Sequence, residues 1–376
     1  MPLLQDLAIG SYFADVDDPR IERTRDHALL DIIIITICAV ICGADGWVGV
    51  EEFGTSKRSW LARFLDLPNG IPSHDTFGRV FAHIDAEQFQ QGFLNWVGAL
   101  RQVQPEIIAI DGKTHRRSHD RAGGKAALHL VSAWASNNRL VLGQIATDCK
   151  SNEITAIPLL LNLLDLQGAT VTIDAMGCQT AIAEQIVQRG GNYVLALKGN
   201  QPTMLADVAA VFADARATQQ AAYGMTTASE VSAGHGRIEI RSAFVVSDPD
   251  VIGYLNERGR WAELRSVALV EAERTVNGTT TSEQRFYLLN QIVEATTLNT
   301  MVRSHWGIEN QVHWVLDVVF HEDQSRIRTG DAPQNMAVVR HIALNLLRQE
   351  TSKGSLKTKR FRAALNESYL AKVLGL

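Results

Sequence analysis

The chain contains 376 residues, of which 46% are hydrophobic and 20% are charged. That length favours two or three domains, and the apolar content excludes a chain that is disordered throughout. The formal net charge of −5 argues mildly against a nucleic-acid partner. The first residues lack the basic start and long apolar run of a secretory signal. The four cysteines are most simply interpreted as reduced thiols, which favours a cytoplasmic compartment.

Residues 1–104 have helix-like patterns and are predicted to form an N-terminal helical domain. Their most hydrophobic segment, 32–44, is thirteen residues long and lies between two aspartates. This length is typical of a buried helix rather than of a membrane span. Cys38 and Cys42 lie four residues apart within the segment. We interpret them as reduced core residues, with a structural zinc site as the minor alternative.

From residue 105 the pattern changes to short runs rich in β-formers. In chain order the segments are strands 106–113, 126–135 and 139–147, helix 152–166, strand 169–173, helix 179–189 and strand 193–197. Three consecutive strands favour an antiparallel meander, whereas the alternation that follows favours parallel crossovers. We therefore predict an α/β fold, with a mixed sheet flanked by helices, that begins with residues 105–202.

Residues 203–292 interrupt this alternation with four β-rich runs and are predicted to be an insertion. Residues 293–350 return to helix-like patterns, and residues 351–376 are interpreted as a basic C-terminal tail. From Arg348 onward there are seven Lys or Arg residues and two Glu, so that the tail carries 7 − 2 = +5 and the remainder −5 − 5 = −10. Such a tail is usually solvated, but its charge is also compatible with a phosphate-bearing partner.

Segment 303–328, RSHWGIENQVHWVLDVVFHEDQSRIR, is predicted to be one helix with an apolar side next to a polar stripe. The apolar side contains Trp306, Val312, Leu316, Val319 and Phe320, and the stripe contains His305, Glu309, His313 and Asp317. A solvated polar face is the alternative interpretation of the stripe. A transition-metal site on its first three residues is a lesser alternative. His313 is more simply explained by packing with Trp314 or by a hydrogen bond to a neighbouring carboxylate.

Asp111 and Asp174 each lie at or near the C-terminal end of a predicted strand, where open α/β sheets collect ligands. An Asp in such a place is often only a turn residue, because it bonds its own backbone there. With Glu309, however, the two form a set of carboxylates of the kind that binds Mg²⁺, and two such ions can promote phosphoryl transfer. The chain has neither a phosphate-binding Gly-rich loop ending in Lys-Ser/Thr nor an HExxH zinc motif.

Cationic and amide side chains follow many of these segments and are suited to contact DNA phosphates. The candidates are Lys113, Arg116, Arg117, Lys150, Asn152, Lys198, Gln201, Arg237, Arg303, His305, Arg326 and Arg328. Each of them taken alone is explained equally well as a surface residue. Trp261, the single Trp of the insertion, is a candidate for stacking on a base drawn out of the duplex, with a core position as the favoured alternative.

Several segments, in this order, resemble the H-repeat-associated (ISAs-type) insertion-sequence transposases. They are AIDGKTHRRS, TDCKSNEITAIPLLL, VTIDAMGCQ, YVLALKGNQ, HGRIEIR and the whole of segment 303–328, and the N-terminal helical part resembles the domain that accompanies the catalytic one. The resemblance covers residues 10 to 350. It implies a ribonuclease H-like catalytic domain of the DDE type and an N-terminal domain that binds DNA.

Carried over by motif, the resemblance implies that Asp111, Asp174 and Glu309 are the catalytic and metal-binding carboxylates. The expected cofactor is Mg²⁺, replaceable by Mn²⁺, as two ions. The expected partners are the inverted-repeat ends of the element and target DNA, bound by a homodimer in a bacterial, nucleoid-associated setting. Neither a membrane nor a nucleotide cofactor is expected.

The wider group around this family carries Tyr, Arg and Lys near its Glu, and these positions fall here on Val302, His305 and Leu316. Their phosphate contacts must therefore come from other residues, for which His305, Arg303 and Arg326 are the candidates. Two rival hypotheses remain open from the sequence. One is a DNA-binding remnant or regulator without catalysis, and the other is a metal-dependent nuclease without a transfer step.

Overall fold

The structure, a computed structural model, describes residues 8–100, 106–119, 126–147, 153–218, 223–234 and 236–376. Two of the candidate DNA-binding residues, Lys150 and Asn152, lie outside the described residues. The bounds of all elements below refer to the described part of the chain.

Six helices form the N-terminal part of the protein. They are α1 (Ala8–Ser11), α2 (Leu29–Cys42), α3 (Trp47–Ser56), α4 (Arg58–Leu61), α5 (His74–His83) and α6 (Ala86–Leu100). Helix α2 is apolar on every side and its residues are almost completely buried, as its composition predicts. It ends at Gly43, whose φ of 116° favours a residue without a Cβ. None of the described helices is by itself long and apolar enough to cross a membrane.

Nine strands form a single sheet in the order β3-β2-β1-β4-β5-β9-β8-β7-β6. They are β1 (Ile107–Thr114), β2 (His129–Ala135), β3 (Leu140–Thr147), β4 (Thr170–Ile173), β5 (Asn192–Leu197), β6 (Thr226–Gly234), β7 (Arg237–Val246), β8 (Ser266–Val276) and β9 (Thr279–Leu289). Strands β1 to β3 form an antiparallel meander, and β1, β4 and β5 run parallel. The predicted mixed α/β sheet is confirmed.

The β-rich insertion does not form a separate sheet. Its last strand, β9, pairs antiparallel with β5, with Val194 opposite Leu289, and β8, β7 and β6 continue outward from it. Four helices connect the strands: α7 (Glu153–Leu163), α8 (Thr180–Gln188), α9 (Pro202–Thr218) and α10 (Pro249–Leu255). The insertion therefore extends the mixed sheet at the edge next to β5.

Segment 303–328 is not the single helix that the sequence predicts. Helix α11 (Ala295–Gly307) passes into a π-helical turn (Ile308–His313) and then into α12 (Trp314–Val318). The chain next turns at His321, whose φ of 51° is left-handed and incompatible with a continuing helix. Four of the five predicted apolar residues pack inward, but the side chain of Trp306 is on the surface, with 43% of it exposed.

Three helices close the fold: α13 (Ala332–Gln349), α14 (Leu356–Leu365) and α15 (Glu367–Leu374). The interpretation of residues 351–376 as a solvated basic tail is wrong. Arg360 is buried and donates a hydrogen bond of 2.9 Å to the carbonyl oxygen of Val40 in α2, and Leu370 and Val373 are buried as well. Because these apolar residues need a partner surface, the segment folds against the N-terminal helices.

Candidate active site

Asp111 and Asp174 occupy equivalent places on adjacent parallel strands. The last paired residues of β1 and β4 are Ile110 and Ile173, and each carboxylate belongs to the next residue. Asp111 is not the end of β1, which continues for three more residues paired with β2 alone. Asp174 directly follows the last residue of β4, and its carboxylate accepts a hydrogen bond of 3.0 Å from the backbone N–H of Met176. Register thus brings the two acidic residues to one place.

The turn after Asp174 is held by two amide side chains that follow β5. Asn200 donates a hydrogen bond of 2.7 Å to the carbonyl oxygen of Ala175, and Gln201 donates one of 3.0 Å to that of Cys178. Gln201 was a candidate for contacting DNA. In this structure its amide group instead fixes the loop that carries the second aspartate.

Glu309 lies in the π-helical turn and approaches the aspartates from the helical side of the cleft. Its Oε2 is 3.0 Å from Nδ1 of His313, which is also 3.6 Å from Oδ2 of Asp111. Ligand atoms of Asp111, Glu309 and His313 all lie within 4.8 Å of one another. The predicted hydrogen bond between His313 and a neighbouring carboxylate is therefore present, and π-helical turns often accompany functional sites.

A cleft of about 330 Å³ contains all three predicted carboxylates. Its wall also includes Thr172, Lys198, Arg285, His305 and Trp306. His305 lies on α11, and its Nδ1 is 3.1 Å from Oγ1 of Thr172. Lys198 directly follows β5, and its side chain is exposed. Negative and positive side chains thus face each other across one cavity, as a site for a phosphate group and a cation requires.

The electrostatics of the carboxylates suit a cation. Burial raises the pKa of Asp111 to about 6, and the nearby carboxylate of Asp174 adds to the rise. The hydrogen bond from His313 lowers the pKa of Glu309. At neutral pH the carboxylates of Asp111 and Glu309 are therefore mostly ionised, and the two charges lie close together. A divalent cation bound by these oxygen ligands would relieve their repulsion, so the residues present fit such an ion.

Lys113 lies two residues after Asp111, and its ammonium group is paired inside the protein. Only 12% of its side chain is exposed, and its ammonium group bonds Asp317 and, at 2.9 Å, Glu322. Glu322 is fully buried and is also 3.6 Å from Arg340 on α13. Lys113 was predicted from the sequence as a phosphate contact, and in this structure its charge is paired with two carboxylates inside the protein.

A second cavity of about 770 Å³ runs along the insertion and shares Arg285, Tyr287, Val302 and Trp306 with the cleft. Five arginines line it, namely Arg237, Arg241, Arg274, Arg285 and Arg303, together with three glutamates, Glu230, Glu239 and Glu283. We call this cavity the arginine groove. It unites two predicted DNA contacts, Arg237 and Arg303, of which the second pairs with Glu230 at 3.0 Å.

The remaining candidates lie elsewhere on the surface. Arg116 and Arg326 are exposed, and Arg116 is 3.4 Å from Asp323. Arg328 donates a hydrogen bond of 2.9 Å to the carbonyl oxygen of the exposed Arg117. These four residues line neither the cleft nor the arginine groove.

Two residues to which the sequence analysis assigned no role in the site line both the cleft and the arginine groove. The guanidinium group of Arg285 lies 5.0 Å above the ring of Trp306, which is partly exposed. Sequence alone gave no signal for Arg285, since its role depends on β9 pairing next to β5. Trp261 is only 4% exposed, which confirms the favoured core interpretation over base stacking.

Comparison with known proteins agrees with this geometry. The family model described as "Transposase DDE domain" matches residues 102–346, and the model described as "DDE_Tnp_1-associated" matches residues 11–97. The chain belongs to the DDE transposase family. The resemblance noted in the sequence is thereby confirmed, together with its bacterial insertion-sequence context.

Among curated proteins, the "H repeat-associated putative transposase YhhI" of Escherichia coli K12 is 40% identical over 356 residues, which are 93% of each chain. The "Putative transposase YncI" of Escherichia coli O157:H7 is 40% identical over 97% of this chain and 93% of its own. Among solved structures, the piggyBac transposase synaptic complex with hairpin DNA aligns with 95% of this chain and 76% of its own, at 9% identity and a TM-score of 0.41.

Proposed function

We propose that the protein is an active transposase, which cleaves DNA at the ends of an insertion sequence and transfers the freed 3′-hydroxyl ends to target DNA. The observation that carries the proposal is the shared cleft, in which Asp111 and Asp174 on adjacent strands face Glu309 on the helical side. Phosphoryl transfer needs positioned charges more than it needs a protein nucleophile. The cleft offers such charges and opens to the surface through Lys198 and Trp306.

Asp111, Asp174 and Glu309 are the residues proposed to hold one or two divalent ions, Mg²⁺ or Mn²⁺. Ions bound there supply Lewis-acid stabilisation of the charge that develops on the phosphate and on the attacking hydroxyl. The protein's own contribution is to fix the carboxylates. The backbone N–H of Met176 holds Asp174, and the imidazole of His313 holds Glu309.

Lys198, Arg285 and His305 are proposed to bind the phosphate groups that flank the scissile bond. All three line the cleft opposite or beside the carboxylates. They would take over the contacts that Tyr and Lys make in the wider family pattern, whose positions fall here on Val302 and Leu316, buried with 5% and 2% exposure. Burial lowers the pKa of His305, so that it is neutral at pH 7 and acts through hydrogen bonds rather than charge.

The arginine groove is proposed as the path of the DNA beyond the cleft. A negatively charged protein can bind DNA when local cations neutralise phosphates, because affinity depends on the number of phosphates contacted. Arg237 and Arg274 are exposed on neighbouring strands of the insertion and face this groove. Because an insertion sequence has two ends, the proposal extends to a homodimer that holds both DNA ends. The N-terminal helical part is proposed to contribute to DNA binding.

The test is an assay with purified protein and labelled DNA that carries the flanking element end, in Mg²⁺ or Mn²⁺ and in EDTA. Metal-dependent nicking at the element boundary together with joined products is the expected result. Binding without cleavage would replace the proposal with a catalytically inactive, DNA-binding remnant. Cleavage without joined products would replace it with a nuclease.

A further inference from the structure

We propose that His313 is a direct metal ligand, which makes the ion site a set of two carboxylates and one imidazole. The proposal rests on the proposed function, because it concerns the ion of the same cleft. Its consequence is selectivity, in that the site prefers Mn²⁺ or a similar transition-metal ion over Mg²⁺.

The geometry at His313 is that of a ligand atom. Its Nδ1 is 3.0 Å from Oε2 of Glu309 and 3.6 Å from Oδ2 of Asp111, and the three ligand atoms lie within 4.8 Å of one another. Two ligands in adjacent positions on an octahedral ion, each about 2.1 Å from it, are about 3.0 Å apart. A hydrogen bond to Glu309 alone explains the first of these distances. It does not explain why Nδ1 of His313 also lies close to the carboxylate of Asp111.

The burial of His313 points to the same conclusion. Only 6% of its side chain is exposed, and its Nε2 is buried without a hydrogen-bond partner among the described residues. The ring is therefore held in place by its surroundings, and Nδ1 is the nitrogen that lies next to the carboxylates. With an ion bound, Nδ1 would coordinate it in place of its hydrogen bond to Glu309, and Nε2 would carry the proton.

The backbone explains how Glu309 and His313 reach one ion. They are four residues apart within the π-helical turn Ile308–His313. Side chains four positions apart lie on the same face of a helical turn. Both side chains are thereby directed toward Asp111, whereas Asp174 lies outside this cluster and remains free to contact a second ion.

Ligand chemistry gives the selectivity. Sites built only from oxygen atoms suit Mg²⁺, which is hard and keeps its water. An imidazole nitrogen raises the affinity for first-row transition metals. A site with His313 therefore holds Mn²⁺ more tightly than an otherwise identical site with a third oxygen ligand.

The test is pulsed electron paramagnetic resonance of Mn²⁺ bound to the full chain, which detects a coordinated nitrogen without any assay of activity. We expect nitrogen modulation of the Mn²⁺ signal, altered when the protein contains ¹⁵N-histidine. In His313→Gln the modulation should disappear while Mn²⁺ still binds, about ten-fold more weakly. In this variant a lower concentration of Mg²⁺ should displace the bound Mn²⁺.

The matched control is His305→Gln. His305 lies in the same cleft but outside the cluster of ligand atoms, so its removal should leave the nitrogen modulation intact. If His313→Gln does not fold, ¹⁵N-histidine labelling in the His305→Gln background gives the same information from His313 itself. Bound Mn²⁺ without nitrogen modulation would overturn the role of His313 and leave the proposed function standing. No Mn²⁺ binding by the wild-type chain would overturn both.

Discussion

Asp111 and Asp174 directly follow Ile110 and Ile173, the last pair in the parallel ladder between β1 and β4. This relationship fixes the two carboxylates side by side at the point where the two strands separate. Beyond it, β1 continues with β2 alone, so a gap opens in the sheet on the side of β4. The cleft with Glu309 occupies this gap, and its position is therefore set by strand register.

Replacing any one of the three carboxylates should abolish cleavage and leave DNA binding intact. Asp111→Asn, Asp174→Asn and Glu309→Gln keep the shape of each side chain but remove the charge that binds a cation. We expect at least a roughly 100-fold loss of nicking, measured on labelled element ends, with gel-shift affinity unchanged. Asp250→Asn, an exposed position at the start of α10, is the control. Wild-type nicking by a carboxylate variant would refute its assignment.

Glu322→Gln should strongly destabilise the protein. The buried carboxylate neutralises Lys113 at 2.9 Å and approaches Arg340 at 3.6 Å. Removing one member of a buried pair leaves an uncompensated charge and typically costs about 3–5 kcal/mol of unfolding free energy. Urea denaturation would measure this loss. The control is Glu230→Gln, which breaks the exposed pair with Arg303 and should cost less than about 1 kcal/mol.

Acid should destabilise the protein between pH 6.5 and pH 4. Burial lowers the pKa of His115 to about 4 and that of His341 to about 3. Below pH 6.5 these two histidines bind protons in the unfolded chain but stay neutral in the folded one. The free energy of unfolding therefore decreases as the pH falls. Thermal melting at a series of pH values should show a smaller decrease for His341→Phe than for the wild type.

The comparison between wild type and variant is needed in that experiment because other groups act in the opposite direction. Burial raises the pKa values of Asp31 and Asp111 to about 6, which favours the folded state as the pH falls below 6. These contributions are common to both proteins and cancel in the difference. An identical pH dependence for His341→Phe would contradict the role assigned to His341.

Trp306→Ala should weaken binding of DNA with a frayed or single-stranded end. The ring is 43% exposed where the cleft meets the arginine groove, and stacking of one base on an aromatic ring contributes about 1–3 kcal/mol. The control is Trp314→Ala, because Trp314 is 56% exposed but lines neither cavity. Equal effects of the two changes, measured by fluorescence anisotropy, would count against stacking at Trp306.

Trp261→Ala should act on stability instead. This side chain is 4% exposed, and its backbone N–H and carbonyl both bond the side chain of Asn256. Truncating a buried Trp typically costs about 3–5 kcal/mol. A variant with an unchanged unfolding midpoint but impaired DNA binding would restore the base-stacking hypothesis for Trp261.

Arg274→Ala should reduce both the affinity for DNA and its dependence on salt. The exposed Arg274 faces the arginine groove, and each phosphate contact that is lost lowers the slope of log affinity against log salt by about one. Titrations at several salt concentrations would measure the slope. Arg258→Ala, at an exposed position of the insertion outside the groove, should leave it unchanged.

The sequence by itself determined most of the local structure and the choice of candidate acidic residues. Strand-forming runs before Asp111 and Asp174, and the repeated spacing of polar residues around Glu309, are local patterns, and local patterns are visible without a fold. The buried helix α2 and the mixed character of the sheet followed in the same way. The recognised motifs then connected these residues to a family.

Only the tertiary structure decided which of the cationic residues face the carboxylates. Lys113 follows Asp111 by two positions, but Glu322 and Asp317 neutralise it inside the protein. Arg285 comes from the distant insertion and reaches the cleft because β9 pairs with β5. The physical reason is that charge pairing, burial and strand order depend on contacts between residues far apart in sequence, which periodicity and spacing do not encode.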